Sequence, residues 1–161
     1  MTVHNIWHHI ATLGPIGFLR PAPGTWGSLA GVLSGVVLMQ LSPYLLEFAI
    51  LITIFIGIKA ANIYSRDTGK KDAPEVIIDE VAGQWLPLLV IPTDLSWPTY
   101  SVWVLLAFVL FRFFDITKLG PIGMAEKIAG GAGVMADDLV AGVFAGIIVL
   151  GSYHLWQGAG L

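Results

Sequence analysis

Five apolar runs separated by polar stretches dominate the chain: Trp26 to Leu41, Tyr44 to Asn62, Val76 to Pro92, Thr99 to Phe114 and Asp138 to Trp156. Each is roughly 16 to 19 residues, at the short end of the ~20 needed to cross a bilayer's hydrocarbon core. Ahead of them, residues 3–13 put Ile6, Trp7 and Ile10 near one helical face and His4, Asn5 and His8 on another. That pattern predicts a short interfacial helix. The whole reads as an all-α, polytopic membrane helix bundle of five short spans, with a single domain over 1–161. Pro87 is expected to kink the third span.

The link from the first helix to the first span holds three prolines and four glycines between Gly14 and Ser28. Pro23-Gly24 is expected to turn, Thr25 or Ser28 to cap the following helix, and the loop's N–H groups to offer a candidate phosphate cradle. Gly27, Gly31 and Gly35 recur every fourth residue, a spacing that lets helices approach closely, within the chain or between two copies. His4 and His8 have the i, i+4 spacing of a metal pair, but with no acid nearby they are read as polar interfacial residues. Trp85, Trp97, Trp103 and Trp156 are read as packing or interface anchors.

Composition supports the membrane reading. Only 12% of residues are charged, 56% are hydrophobic, and mean hydropathy is +0.80. Soluble domains carry about twice that charge. A net charge of −3 gives no reason to expect nucleic acid as a partner. With no cysteine, thiolate nucleophiles, disulfides and zinc–thiolate sites are excluded. No cationic, apolar, small-residue secretory leader is visible at the N-terminus.

Charge placement orients the bundle. With five spans and a cytoplasmic N-terminus, all eight Lys and Arg residues (Arg20, Lys59, Arg66, Lys70, Lys71, Arg112, Lys118 and Lys127) fall on the cytoplasmic side. That bias is the one expected of inner-membrane proteins. The same map places Asp79 and Glu80 at the mouth of span three, Asp115 at the end of span four, and Asp137 and Asp138 at the start of span five. Glu47 and Asp94 fall on the other side.

Ionised acids beside lipid are costly, so five of them in one layer call for a cation. Carboxylates without sulfur or imidazole suit Mg²⁺, which binds through one or two carboxylates, water and substrate phosphate oxygens. Arg112 and Lys118 are candidates to hold the remaining phosphate oxygens. Read singly, the acids have ordinary explanations: Asp115 pairing with Arg112, and Asp137-Asp138 capping span five.

Four ordered motifs carry a resemblance over nearly the whole chain. They are Pro23-Gly24-Thr25-Trp26-Gly27-Ser28; Asp79-Glu80-Val81-Ala82-Gly83-Gln84-Trp85; Phe111-Arg112-Phe113-Phe114-Asp115 with Lys118 and Pro121-Ile122; and Gly130 to Gly142 around Asp137-Asp138. The chain resembles the phosphatidylglycerophosphatase A family, although that family commonly places a proline directly after the lysine, where Leu119 stands here. The resemblance implies a bacterial inner-membrane enzyme that removes the terminal phosphate of phosphatidylglycerophosphate with Mg²⁺, giving phosphatidylglycerol. The expected catalytic residues are Asp79, Glu80, Asp137 and Asp138, with the same four and Asp115 as metal ligands. Arg112, Lys118, Thr25 and Ser28 are expected to bind the phosphate. A water nucleophile is favoured over an acyl-phosphate route through an aspartate. A small cation transporter is the rival from another class; it predicts ionisable groups along a path across the bilayer. An assembly factor without chemistry is the third reading, in which neutralising Asp79 or Asp138 changes nothing. The sequence leaves the oligomeric state open.

Overall fold

The computed structural model describes residues 3–159, with side chains from Ile6 onward, and every regular element among them is helical. Helix α1 (Val3–Thr12) leads through a 3-10 turn (Ile16–Phe18) into α2 (Pro23–Leu41) and α3 (Pro43–Thr68). Then follow α4 (Ile78–Leu88), α5 (Trp97–Thr117), α6 (Pro121–Ala125) and α7 (Gly131–Gly158). Proline stands in the first turn of α2, α3, α5 and α6, where its missing N–H would have no helical partner anyway.

Four helices (α2, α3, α5 and α7) are long and apolar enough to cross a membrane. Their outward faces carry Leu33, Val37, Phe48, Phe55, Val102, Leu105 and Ile147, all exposed. An apolar belt of that extent is stable only against lipid. The predicted third span behaves differently. Its helix, α4, has 11 residues, or about 16 Å, against the ~30 Å of a hydrocarbon core. Pro87 accounts for the early stop, since it cannot donate to the Gly83 carbonyl. The segment continues as a turn, with Leu89 N–H donating to Leu86 O and Ile91 N–H to Leu88 O. Residues Leu89 to Thr93 then share a cleft with Met39 and Pro43, so the run still passes from one end of the bundle to the other.

Two close approaches bury α4. A Cβ on Gly27 would lie 2.9 Å from Ile77 Cβ, one on Gly31 3.0 Å from Gln84 Cβ, and one on Gly35 2.5 Å from Leu88 Cδ1. The glycine stripe of α2 therefore serves packing within the chain, against α4. On α4's opposite side, Gly83 faces Gly142 of α7, and a Cβ on Gly142 would overlap the Gly83 carbonyl oxygen. That carbonyl is the one Pro87 leaves without a helical donor, so the same break that shortens α4 exposes the backbone on which α7 rests.

Beyond this crossing the bundle is apolar. Met39, Leu46, Ile50, Trp85, Leu88, Trp103, Val149 and Tyr153 belong to one buried cluster. Trp85 donates from its indole to Gly31 O at 2.9 Å, and Trp103 packs edge-on against Tyr153 and Trp156. These are the packing roles expected of the tryptophans. At the other end α1 lies along α3, with Lys59 over the Trp7 ring and His8 Nε2 3.2 Å from Asp67 Oδ2. The side chain of His4 lies outside the described residues.

Candidate active site

All five acids singled out from sequence meet at one end of the bundle, but they divide into two kinds. One oxygen from each of Asp79, Glu80 and Asp138 lies within 4.8 Å of the other two. Asp79 and Glu80 stand in the first turn of α4, where a helix N-terminus favours negative charge. Asp138 reaches them because the Gly83–Gly142 crossing draws α7 against α4: a Cβ on Gly83 would be 2.5 Å from Asp138 O and 2.7 Å from the Phe111 ring. Asp79 Oδ1, Glu80 Oε2 and Asp138 Oδ2 are buried without a hydrogen-bond partner. Two buried carboxylates and the half-buried Glu80, close together with unpartnered oxygens, fit a divalent cation with oxygen ligands.

The other two acids are engaged by cations. Asp115 Oδ2 accepts from Arg112 Nη1, and Asp137 Oδ2 accepts from Lys118 Nζ at 2.5 Å. Asp137 Oδ1 remains buried and unpartnered, so this side chain retains one free acceptor. The pairing of Asp115 with Arg112 is the ordinary role anticipated for it. The ordinary role anticipated for Asp137 and Asp138 is overturned. Helix α7 begins at Gly131, so they lie about two turns inside it and do not cap it. The start is held from α3: Asn62 Oδ1 accepts the Gly131 N–H at 2.7 Å. Apolar run length could not show this, because the first turn of α7 is glycine and alanine.

A cavity of about 450 Å³ opens over the acids. Asp79, Glu80, Asp115, Asp137 and Asp138 line it, with Lys118 and Glu126. Lys118 ends α5 with a positive φ of 47°, which turns the chain into α6. Its Nζ also donates to Glu126 Oε1 at 3.1 Å. Burial works to lower the Lys118 pKa, but hydrogen bonds and charge from Asp137, then Glu126, outweigh it and hold the ammonium above its usual range. It is a cation at any physiological pH.

Thr25 and Ser28 are not brought to the cavity wall. Helix α2 starts at Pro23, earlier than expected, and neither residue caps it. The Ser28 hydroxyl donates to Gly24 O at 2.8 Å and accepts from Arg112 Nη1 at 3.3 Å. Ser28 thus positions Arg112, which stands with Gly24 against Glu80 behind the cavity.

Three features escaped the sequence reading. Glu75, in the loop before α4, is buried and accepts from Tyr64 OH at 2.9 Å and Lys70 Nζ at 2.5 Å. Burial pushes the Glu75 pKa up, but Lys70 and Tyr64 outweigh it and hold the carboxyl below its ordinary value. With Ile77 N–H donating to Ala11 O, these bonds fix the cavity wall formed by residues 71–76. Glu126 is the second; an acid eight residues past Lys118 carries no local signal of pairing with it. Gln84 is the third, fully buried one turn beyond Glu80 with neither amide atom paired. Its place inside the Asp79-to-Trp85 motif was the available clue.

A family model described as phosphatidylglycerophosphatase A matches residues 9–153. A Haemophilus influenzae protein named phosphatidylglycerophosphatase A is 39% identical, across 98% of this chain and 99% of its own length. An Escherichia coli protein of the same name is 33% identical, across 96% of this chain and 88% of its own. A Bacteroides thetaiotaomicron protein named "Putative phosphatidylinositol-3-phosphatase" is 40% identical, across 83% of this chain and 84% of its own. No solved structure matches the chain.

Proposed function

The chain belongs to the phosphatidylglycerophosphatase A family and is a membrane lipid phosphatase, and from that premise we propose that it hydrolyses phosphatidylglycerophosphate to phosphatidylglycerol and phosphate with Mg²⁺. The reaction takes place at the cytoplasmic face of a bacterial inner membrane, with the N-terminus on that side. The placement of every Lys and Arg at the acid-bearing end supports this orientation.

The observation that carries the reading is the trio of mutually close carboxylates, each with a buried, unpartnered oxygen. Asp79, Glu80 and Asp138 would hold the cation, which would neutralise phosphate charge and acidify water. The chain's own groups supply the rest. Lys118 holds Asp137 through one oxygen and presents a positive charge to the phosphate. The free Asp137 Oδ1 takes the proton of the attacking water. As the new P–O bond forms, the bond to the glycerol oxygen breaks, and that oxygen leaves as an alcohol after taking the proton that Asp137 received from the water. Arg112, locked by Ser28 and Asp115, keeps positive charge beside Glu80 and limits repulsion among the acids. Phe111, fully buried against Gly83, excludes water from the inner side. A transport path has no support below this layer, where the side chains form the apolar cluster.

The test is phosphate release from phosphatidylglycerophosphate by purified protein in detergent, with Mg²⁺ and with EDTA. Release that stops in EDTA and returns with Mg²⁺ is expected. Undiminished release in EDTA would remove the metal, and no release from folded protein would remove the substrate. Incorporation of one solvent ¹⁸O into phosphate, with no phosphoenzyme trapped, distinguishes water from an aspartyl nucleophile.

A further inference from the structure

The cavity's three lysines are unequally engaged. Lys118 is tied to Asp137 and Glu126. Lys71 and Lys127 also line the cavity, are exposed, and pair with no acid among the described residues. They belong to different walls: Lys71 to the loop between α3 and α4, Lys127 to the link between α6 and α7. The Lys127 lip is also apolar, since Leu119, Met124 and Ile128 are at least half exposed there. A lysine among exposed apolar side chains at the charged end of a membrane bundle is placed to meet lipid head groups.

Resting on the lipid-phosphatase reading, we propose that Lys71 and Lys127 bind the inner phosphodiester of the substrate while its terminal phosphomonoester occupies the acid site. A phosphatidyl lipid with a terminal phosphate carries two anions joined by a short polyol. The outer one goes to the end of the cavity where Lys118 lies and where Asp79, Glu80 and Asp138 would hold the cation. The inner one enters a cavity whose wall also carries Asp72, Asp115 and Glu126, and it needs cations of its own. Arg112 and Lys118 are already engaged by acids, which leaves Lys71 and Lys127. This pair thus favours lipids with two phosphates over those with one.

The test uses the full chain in mixed micelles and the double substitution Lys71→Ala/Lys127→Ala. KM for phosphatidylglycerophosphate is expected to rise about three- to tenfold with kcat within about twofold. Two inhibitors separate the phosphates: phosphatidylglycerol carries only the inner one, inorganic phosphate mimics only the outer. The inhibition constant of phosphatidylglycerol should rise in step with KM, while that of phosphate should stay within about twofold. Lys71→Arg/Lys127→Arg should restore both values. An unchanged KM and phosphatidylglycerol constant, or an equal rise for inorganic phosphate, would overturn the clamp alone. Absence of release by the wild-type protein would instead overturn the lipid-phosphatase reading beneath it.

Discussion

Two regions at the same end of the bundle hold buried carboxylates, and they treat them in opposite ways. In the loop before α4, Glu75 has a hydroxyl and an ammonium on one oxygen, and its bonds fix the cavity wall. At the α4–α7 crossing, Asp79, Glu80 and Asp138 face one another with oxygens that nothing in the chain satisfies. Buried charge is tolerated when partners compensate it, and costly when they do not. The first region is organised for its own stability. The second carries an electrostatic cost of the kind that a bound cation would relieve.

If that contrast is right, substitutions should separate activity from stability. Asp138→Asn or Asp79→Asn should lower phosphate release by at least about a hundredfold. Melting temperature in metal-free detergent should hold or rise, because a repelling charge is removed. A variant that loses both would place these acids with Glu75 as structural groups. Gly142→Val tests the crossing itself. Its side chain would overlap the Gly83 carbonyl, so α7 must shift away from α4. Activity should collapse and stability fall by about 1–3 kcal/mol. Retained activity would show that contact between the two helices does not set the acid geometry.

The smallest effect is expected on the paired side. Glu75→Gln should cost about 1–2 kcal/mol of stability near neutral pH while leaving kcat within about twofold. Because the folded state lowers the Glu75 pKa, its contribution is present above the unfolded value near 4.3 and disappears as pH falls through the lower folded one. The stability gap between wild type and variant should therefore close in acid. A gap that persists once the carboxyl is protonated in both the folded and the unfolded state would mean that the side chain acts through packing.

Much of this architecture is legible in the chain because it is local. Apolar runs of near-spanning length mark α2, α3, α5 and α7, and Pro87 marks the end of α4. Lys and Arg gathered toward the same end of successive runs mark the working end. The motif around Asp79-Glu80 and the one around Asp137-Asp138 mark where the chemistry lies. What stayed hidden depends on residues far apart in the chain. Helix α7 begins at Gly131 because an Asn62 side chain on another helix accepts its first N–H. Run length, which sees only apolar side chains, started it at Asp138. Ser28 looked like a cap or a phosphate ligand, yet its hydroxyl meets Arg112, 84 residues away.

The sequence by itself determined a helical membrane bundle, the sorting of Lys and Arg to one side and the family. Hydrophobic periodicity and charge asymmetry act through a solvent boundary that each segment feels independently. Only the tertiary structure decided that Asp79, Glu80 and Asp138 converge while Asp115 and Asp137 are paired, and that the α2 glycines face α4. Those outcomes depend on how closely two backbones approach, and glycine at Gly83 and Gly142 lets α4 and α7 come near enough for their carboxylates to share one site.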